Sequence, residues 1–166
     1  MGFAKDLETG KNGESIVKHI FSKHGIQAES VHQKELRCFY DLSILLRGKE
    51  IGVECKYDLY ANRSKNVAIE ISNSKTGEPA GIMVTRAQIW AHVLSTDSVW
   101  FSDTTLLRNY VIECPFGKSK LIVAGGDNNA NLILLKMEDV MGLLFTEVSK
   151  LSTEKFFNLL GNLTSC

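Results

Sequence analysis

The stretch YDLSILLRGKEIGVECKYD, residues 40–58, sets two acids and a lysine into what otherwise reads as a pair of buried strands. Asp41, Glu54 and Lys56 stand among Leu42, Ile44, Ile51 and Val53, where an uncompensated charge is costly. Strand side chains alternate between faces, so Ile51, Val53 and Cys55 point one way while Gly52, Glu54 and Lys56 point the other. Residues 38–46 and 50–57 read as two strands around Arg47-Gly48. A two-residue turn at Arg47-Gly48 pairs Leu46 with Lys49 and, counting outward, sets Asp41 opposite Glu54. A four-residue loop over 47–50 sets Asp41 opposite Lys56 instead. Both registers keep the three polar groups on one face; a three-residue loop would separate them.

Two carboxylates held about 5 Å apart at their Cβ atoms repel one another unless a cation lies between them. Hard divalent ions take such oxygen ligands, so the pairing predicts a Mg²⁺ site held by Asp41 and Glu54. Lys56 shares their face, where an ammonium group can stabilise a developing oxyanion or orient an attacking water. Cys55 points inward, so its contribution would be its backbone carbonyl rather than its thiol. The plain alternative is an exposed strand edge with a Glu54–Lys56 surface pair of little energetic weight. The strongly apolar opposite face argues against it.

An acid in one strand, a turn, and then E-C-K in the next resembles the PD-(D/E)XK nuclease superfamily, with Asp41 at the position of the D and Glu54-Cys55-Lys56 at (D/E)XK. Upstream, residues 13–24, GESIVKHIFSKH, place Ile16, Val17, Ile20 and Phe21 on one helix face that Gly25 stops. Gly13-Glu14 looks like the first helix of that family, whose glutamate often completes the metal site, and Glu14 shares a helix edge with Val17 and Phe21. Tyr40 stands where the family's name has proline. Gln88 with His92 resembles the Q-x-x-x-Y element of one branch, with His in place of Tyr. The resemblance covers residues 10–101, because a third strand over 66–72 and a helix capped by Thr85 and running through Ala87, Ile89, Trp90, Val93 and Leu94 follow the family's order.

The resemblance implies an α/β, restriction-endonuclease-like fold with a mixed central β-sheet flanked by helices. It implies a single nuclease domain over 1–166, its core at 10–101 and a mixed α/β extension at 102–166. The activity implied is hydrolysis of phosphodiester bonds in DNA, at a junction, a branch or a duplex site, with Mg²⁺ as cofactor and Mn²⁺ able to replace it. Asp41, Glu54, Glu14 and the Cys55 carbonyl would hold metal, and Lys56 would complete the catalytic set. Cutting two strands requires two such sites, hence a homodimer or larger homo-oligomer, with the apolar helix around residues 156–160 as a candidate contact. Small resolvases, phage-type nucleases and small homing endonucleases are the most similar branches. A non-catalytic nucleic-acid-binding module on the same scaffold and an RNA-directed nuclease are the competing readings.

Arg63 and Lys65 just after the motif, and Arg86 and Gln88 further on, are candidate DNA contacts, each against the simpler reading of an ordinary solvated polar residue. Glu70 reads as a solvated strand acid before it reads as a further ligand. Trp90, Trp100, Phe101, Phe156 and Phe157 read as core or subunit contacts, His19 and His24 as surface residues, and residues 125–129 as a hairpin turn between 121–124 and 131–135. Short helices are expected at 104–110, 137–145 and 153–160, a strand at 98–101, and a mobile polar segment at 58–65.

A chain of 166 residues with 44% hydrophobic content can bury a self-sufficient core. Zero net charge gives no bulk signal for a nucleic-acid partner. Four scattered cysteines without a CxxC pair, and four histidines without ligand spacing, speak against a zinc site and for a reducing compartment. No run is long and apolar enough for a membrane span or a signal peptide, and Asp6 breaks the myristoylation pattern that Met1-Gly2 begins. The expected setting is intracellular and cytoplasmic, with phage or mobile-element origin as one option, and without a membrane partner.

Overall fold

The computed structural model describes residues 2–31, 39–114, 119–124 and 129–164. The register of the central hairpin is decided at Arg47-Gly48. Both residues take left-handed backbone, with φ 52° and 78°, as a two-residue type I′ hairpin turn requires. β2 (Leu42–Leu46) and β3 (Lys49–Tyr57) therefore pair antiparallel with Leu46 opposite Lys49 and Leu42 opposite Val53. The two-residue alternative holds, and Asp41 lies one residue beyond the last ladder pair.

β2 and β3 sit in a six-stranded mixed sheet. β1 (Ala28–Ser30) pairs with β2, and β5 (Ile89–Ser95) runs parallel to β3. β6 (Ser98–Asp103) returns antiparallel to β5, and β9 (Thr146–Glu147) closes the far edge, giving the order β1-β2-β3-β5-β6-β9. One face is covered by helices α1 (Gly2–Lys23) and α5 (Thr153–Leu163). Val17, Ile20, Phe21, Phe156 and Leu160 pack there against Leu42, Ile44, Val53, Val93 and Phe101. The Phe21 ring lies 5.4 Å from Phe101 and 5.7 Å from Phe156.

The opposite face meets a second, three-stranded sheet. β4 (Asn66–Asn73) pairs antiparallel with β8 (Ala130–Lys136), which pairs with β7 (Ser119–Ala124). Trp90 packs on this side with Val67, Ile69 and Leu135, together with Leu107 and Val111 of α3 (Thr104–Glu113) and Val140 of α4 (Met137–Val140). The chain is thus mixed α/β, with a central mixed sheet flanked by helices on one side and by a smaller sheet with α3 on the other. Among the described residues no helix is long and apolar enough to cross a membrane.

Several expectations are corrected. The segment expected as a helix from Thr85 is strand β5, inserted between β3 and β6. Residues 89–94 are buried on both faces, and such a continuous apolar run has no period that separates strand from helix. The third strand expected over 66–72 is present as β4, which pairs in the second sheet and not with the hairpin. Of the two elements cited for the resemblance, the strand is therefore present in a different sheet, and the helix is replaced by a strand.

Residues 58–65 hold a hydrogen-bonded turn and a short helix. The buried Asp58 accepts from Tyr60 N–H and Ala61 N–H, and α2 (Ala61–Ser64) ends at Lys65 with φ 58°. His24 is buried, with its ring 4.1 Å from Phe156 and its Nδ1 3.2 Å from the Thr153 hydroxyl. Phe156 and Leu160 are fully buried inside the monomer, so α5 uses those residues in its own core rather than as a subunit contact. The hairpin pairing of β7 with β8 is as expected, though residues 125–128 lie outside the described residues, as do residues 32–38 of the segment upstream of β2.

Candidate functional site

Asp41 occupies the bend that leads into β2. Its N–H donates to the Val53 carbonyl at 3.1 Å, and its carboxylate Oδ2 accepts from the Cys55 N–H at 2.8 Å. In the hairpin register the next backbone partner of Cys55 would be Tyr40. The Asp41 side chain takes over that ladder bond, which anchors its carboxylate at the acid-bearing part of β3.

Glu54 is partly buried on the sheet face shared with Trp90, and its Oε2 accepts from the Thr85 hydroxyl at 3.0 Å. Burial, and then the charge of Asp41, push its carboxyl up to about 8; Glu70 adds to the rise, while the Thr85 hydrogen bond and Lys56 oppose it. Lys56 sits two residues on, beside His92, with Nζ 3.5 Å from the Glu70 carboxylate of β4. The expected juxtaposition of Asp41, Glu54 and Lys56 is therefore present, and Glu70 joins it as the partner of Lys56.

Cys55 faces the α1 side of the sheet. Burial raises its thiol well above the ordinary range, the carboxylates of Asp41, Glu54 and Glu14 add to this, and Lys18 opposes it. A thiol so held stays protonated and is no nucleophile. Cys55 and Cys114 are both free cysteines. Glu14 is on the helix side too, where its Oε2 accepts from the Ser30 hydroxyl at 3.1 Å. Among the described residues no group of three or more His, Cys, Asp or Glu side chains is gathered to hold a metal ion. Of the site's acids, Asp41 and Glu54 offer the carboxylate oxygens that a hard cation takes, and the repulsion from Asp41 that adds to burial in raising the Glu54 carboxyl is what a bound cation would relieve.

The candidate DNA contacts fall into two groups. Arg86 and Gln88 lie at the Asp41 end of the site. The Arg86 guanidinium sits 3.8 Å over the Phe39 ring, and the Gln88 Oε1 accepts from the Gly52 N–H at 2.7 Å. Arg63 and Lys65 are exposed at the α2 corner beyond β3, with Arg63 5.8 Å from the Tyr60 ring centroid.

His92, the neighbour suggested by Q-x-x-x-Y, is fully buried behind Lys56. Its Nδ1 receives the Trp90 indole N–H at 3.3 Å, which leaves the proton on Nε2, 3.5 Å from Asp58 Oδ2. Burial would raise the Asp58 carboxyl, yet His92 and the N–H groups of Ala68 and Tyr60 hold it below the ordinary carboxylate range. This pair ties β3, β4 and β5 together behind the site.

Two residues escaped sequence reasoning. Thr85 looked like a helix cap, and Arg108 carries no sequence signal beyond being a lone arginine on an amphipathic helix. No protein-family model matches this chain, and no curated protein or solved structure is significantly similar to it.

Gly52 makes room for the approach to Asp41, since a Cβ there would lie 2.8 Å from the base of the Tyr40 ring. Gly52→Ala is expected to push residues 39–41 away from β3 at a cost of about 1–3 kcal/mol. Urea denaturation of the two proteins measures it; an unchanged midpoint would mean that Tyr40 moves without strain.

Proposed function

We propose that the protein is a metal-dependent endonuclease that hydrolyses phosphodiester bonds in DNA, built as a variant of the restriction-endonuclease-like fold. The observation that carries this reading is the crowded Asp41–Glu54 pair beside Lys56, with the Glu54 carboxyl raised to about 8 by burial and by its acidic neighbour. A surface strand edge would not hold a carboxyl in that condition. It is relieved by a divalent cation, and hydrolysis at a phosphate uses such a cation with an adjacent ammonium.

Asp41, Glu54 and the Cys55 carbonyl would hold Mg²⁺, with Mn²⁺ able to replace it, while Glu14, hydrogen-bonded to Ser30 on the α1 side of the sheet, would stand outside this ligand set. A bound divalent ion supplies Lewis acidity and charge neutralisation at the scissile phosphate. Lys56 orients the attacking water and stabilises the charge that grows on the phosphoryl oxygens, while Glu70 holds its ammonium in place. Arg86, Gln88, Arg63 and Lys65 would follow the phosphate backbone on either side. Cleavage of both strands would call for a second copy of the chain.

The test is a panel of linear, nicked, branched and single-stranded DNA, with RNA alongside, incubated with Mg²⁺ or with EDTA. Cleavage of at least one DNA substrate is expected with Mg²⁺ and none with EDTA. Cleavage confined to RNA would redirect the assignment to a ribonuclease. Binding without any cleavage would favour a non-catalytic module.

A further inference from the structure

The Thr85 hydroxyl stands at the crossing of the two segments that bear the acids. It donates toward the Phe39 carbonyl at 2.7 Å and toward Glu54 Oε2 at 3.0 Å, and it accepts from the Ala87 N–H at 3.2 Å. Phe39 lies two residues before Asp41, and its carbonyl also receives the Arg86 N–H at 2.9 Å. A single buried side chain thus bridges the backbone entering Asp41 and the carboxyl of Glu54.

Thr85 is itself held from behind. Arg108 of α3 donates through Nε to the Ile82 carbonyl at 2.7 Å and through Nη2 to the Thr85 carbonyl at 2.6 Å. At the other end of this segment Gly81 has φ 53°, and a Cβ there would lie 2.5 Å from the Glu70 carbonyl oxygen. Residues 81–85 are therefore wedged between α3 and β4, and β4 carries the acid that pairs with Lys56. Because the hydroxyl has one proton for two acceptors, it couples the placement of the Phe39 backbone to that of the Glu54 carboxyl.

We propose that Thr85 is a positioning residue that sets the spacing of Asp41 and Glu54 for a shared divalent cation. The inference rests on the reading of those two acids as cation ligands. A hydroxyl that orients a ligating carboxylate affects affinity for the ion without touching it, and loss of such a partner typically costs about 10- to 100-fold.

Calorimetric titration of the full chain with Mn²⁺ alone, without DNA, tests it. Thr85→Val, which keeps the shape and removes the hydroxyl, is expected to weaken Mn²⁺ binding by at least about tenfold. Thr85→Ser, which keeps the hydroxyl, is expected to stay within about threefold of the wild type, and Glu54→Gln to lose the site. Wild-type affinity in Thr85→Val alongside loss in Glu54→Gln would overturn the role of Thr85 and leave the cation site standing. Equal weakening in Thr85→Ser and Thr85→Val would also overturn it, because the hydroxyl would not be the agent. Wild-type protein with no Glu54-dependent Mn²⁺ binding would instead remove the reading of the site, and this inference with it. Circular dichroism checks the fold of each variant. Should Thr85→Val fail to fold, Thr85→Ala takes its place with the same expected weakening and the same overturning results.

Discussion

Glu54→Gln is expected to reduce Mg²⁺-dependent DNA cleavage by at least about 100-fold while leaving the fold intact. The side chain keeps its shape and can still hydrogen-bond to the Thr85 hydroxyl, 3.0 Å away in the wild type, but it no longer offers an anionic oxygen to a cation. Lys56→Ala should produce a loss of similar size for a different reason, the missing ammonium beside the phosphate. Its structural cost is small, because the 3.5 Å pair with Glu70 is partly exposed and such pairs contribute about 0–1 kcal/mol. Cleavage rates measured on one substrate, with melting curves for each variant, separate loss of chemistry from loss of fold. Undiminished cleavage in both variants would dismiss the assignment.

The same carboxyl should make stability depend on pH in an unusual direction. Glu54 titrates at about 8 in the folded protein against an ordinary value of 4.5. Below the ordinary value both folded and unfolded chains carry the proton, and its burial is without penalty. As the pH rises, the unfolded chain releases the proton while the folded chain keeps it, so stability is lost progressively until the folded carboxyl also ionises, and the loss levels off above about 8.

Relative to Glu54→Gln, which stays neutral throughout, the wild type should therefore lose on the order of a few kcal/mol between pH 5 and pH 9. Asp58 acts in the opposite sense at acid pH, since its depressed carboxyl contributes stability that disappears as the pH falls. It is common to both proteins, so the difference between their urea-unfolding curves isolates Glu54. Saturating Mg²⁺ should restore the wild type at pH 9 and leave the variant unmoved. Parallel curves for the two proteins across this range would show that Asp41 and burial do not press on Glu54 as described.

Much of the site was legible in the sequence because it depends on local geometry. Strand alternation alone puts Glu54 and Lys56 on one face and the Cys55 thiol on the other. Arg47-Gly48 carries the turn chemistry that selects the register, though the sequence left a four-residue loop open until the two positive φ values decided it. The first helix was legible from its apolar spacing, and Val17 and Phe21 are fully buried as that spacing requires. Residues 89–94 defeated the same reasoning, because a strand covered on both faces loses the alternation that identifies it. His24 misled because its polarity suggested the surface, while its ring stacks on Phe156 and meets the hydroxyl of Thr153, 129 positions away in sequence, both on α5.

By itself the sequence determined which side chains alternate along β3 and that an acid precedes β2, since those follow from backbone period and chain order. Only the tertiary structure decided that β4 joins a second sheet and brings Glu70 to Lys56, and that Thr85 reaches both Phe39 and Glu54. Contacts between residues 31 and 46 positions apart depend on how layers stack, and layer stacking is set by the summed burial of many apolar side chains rather than by any motif.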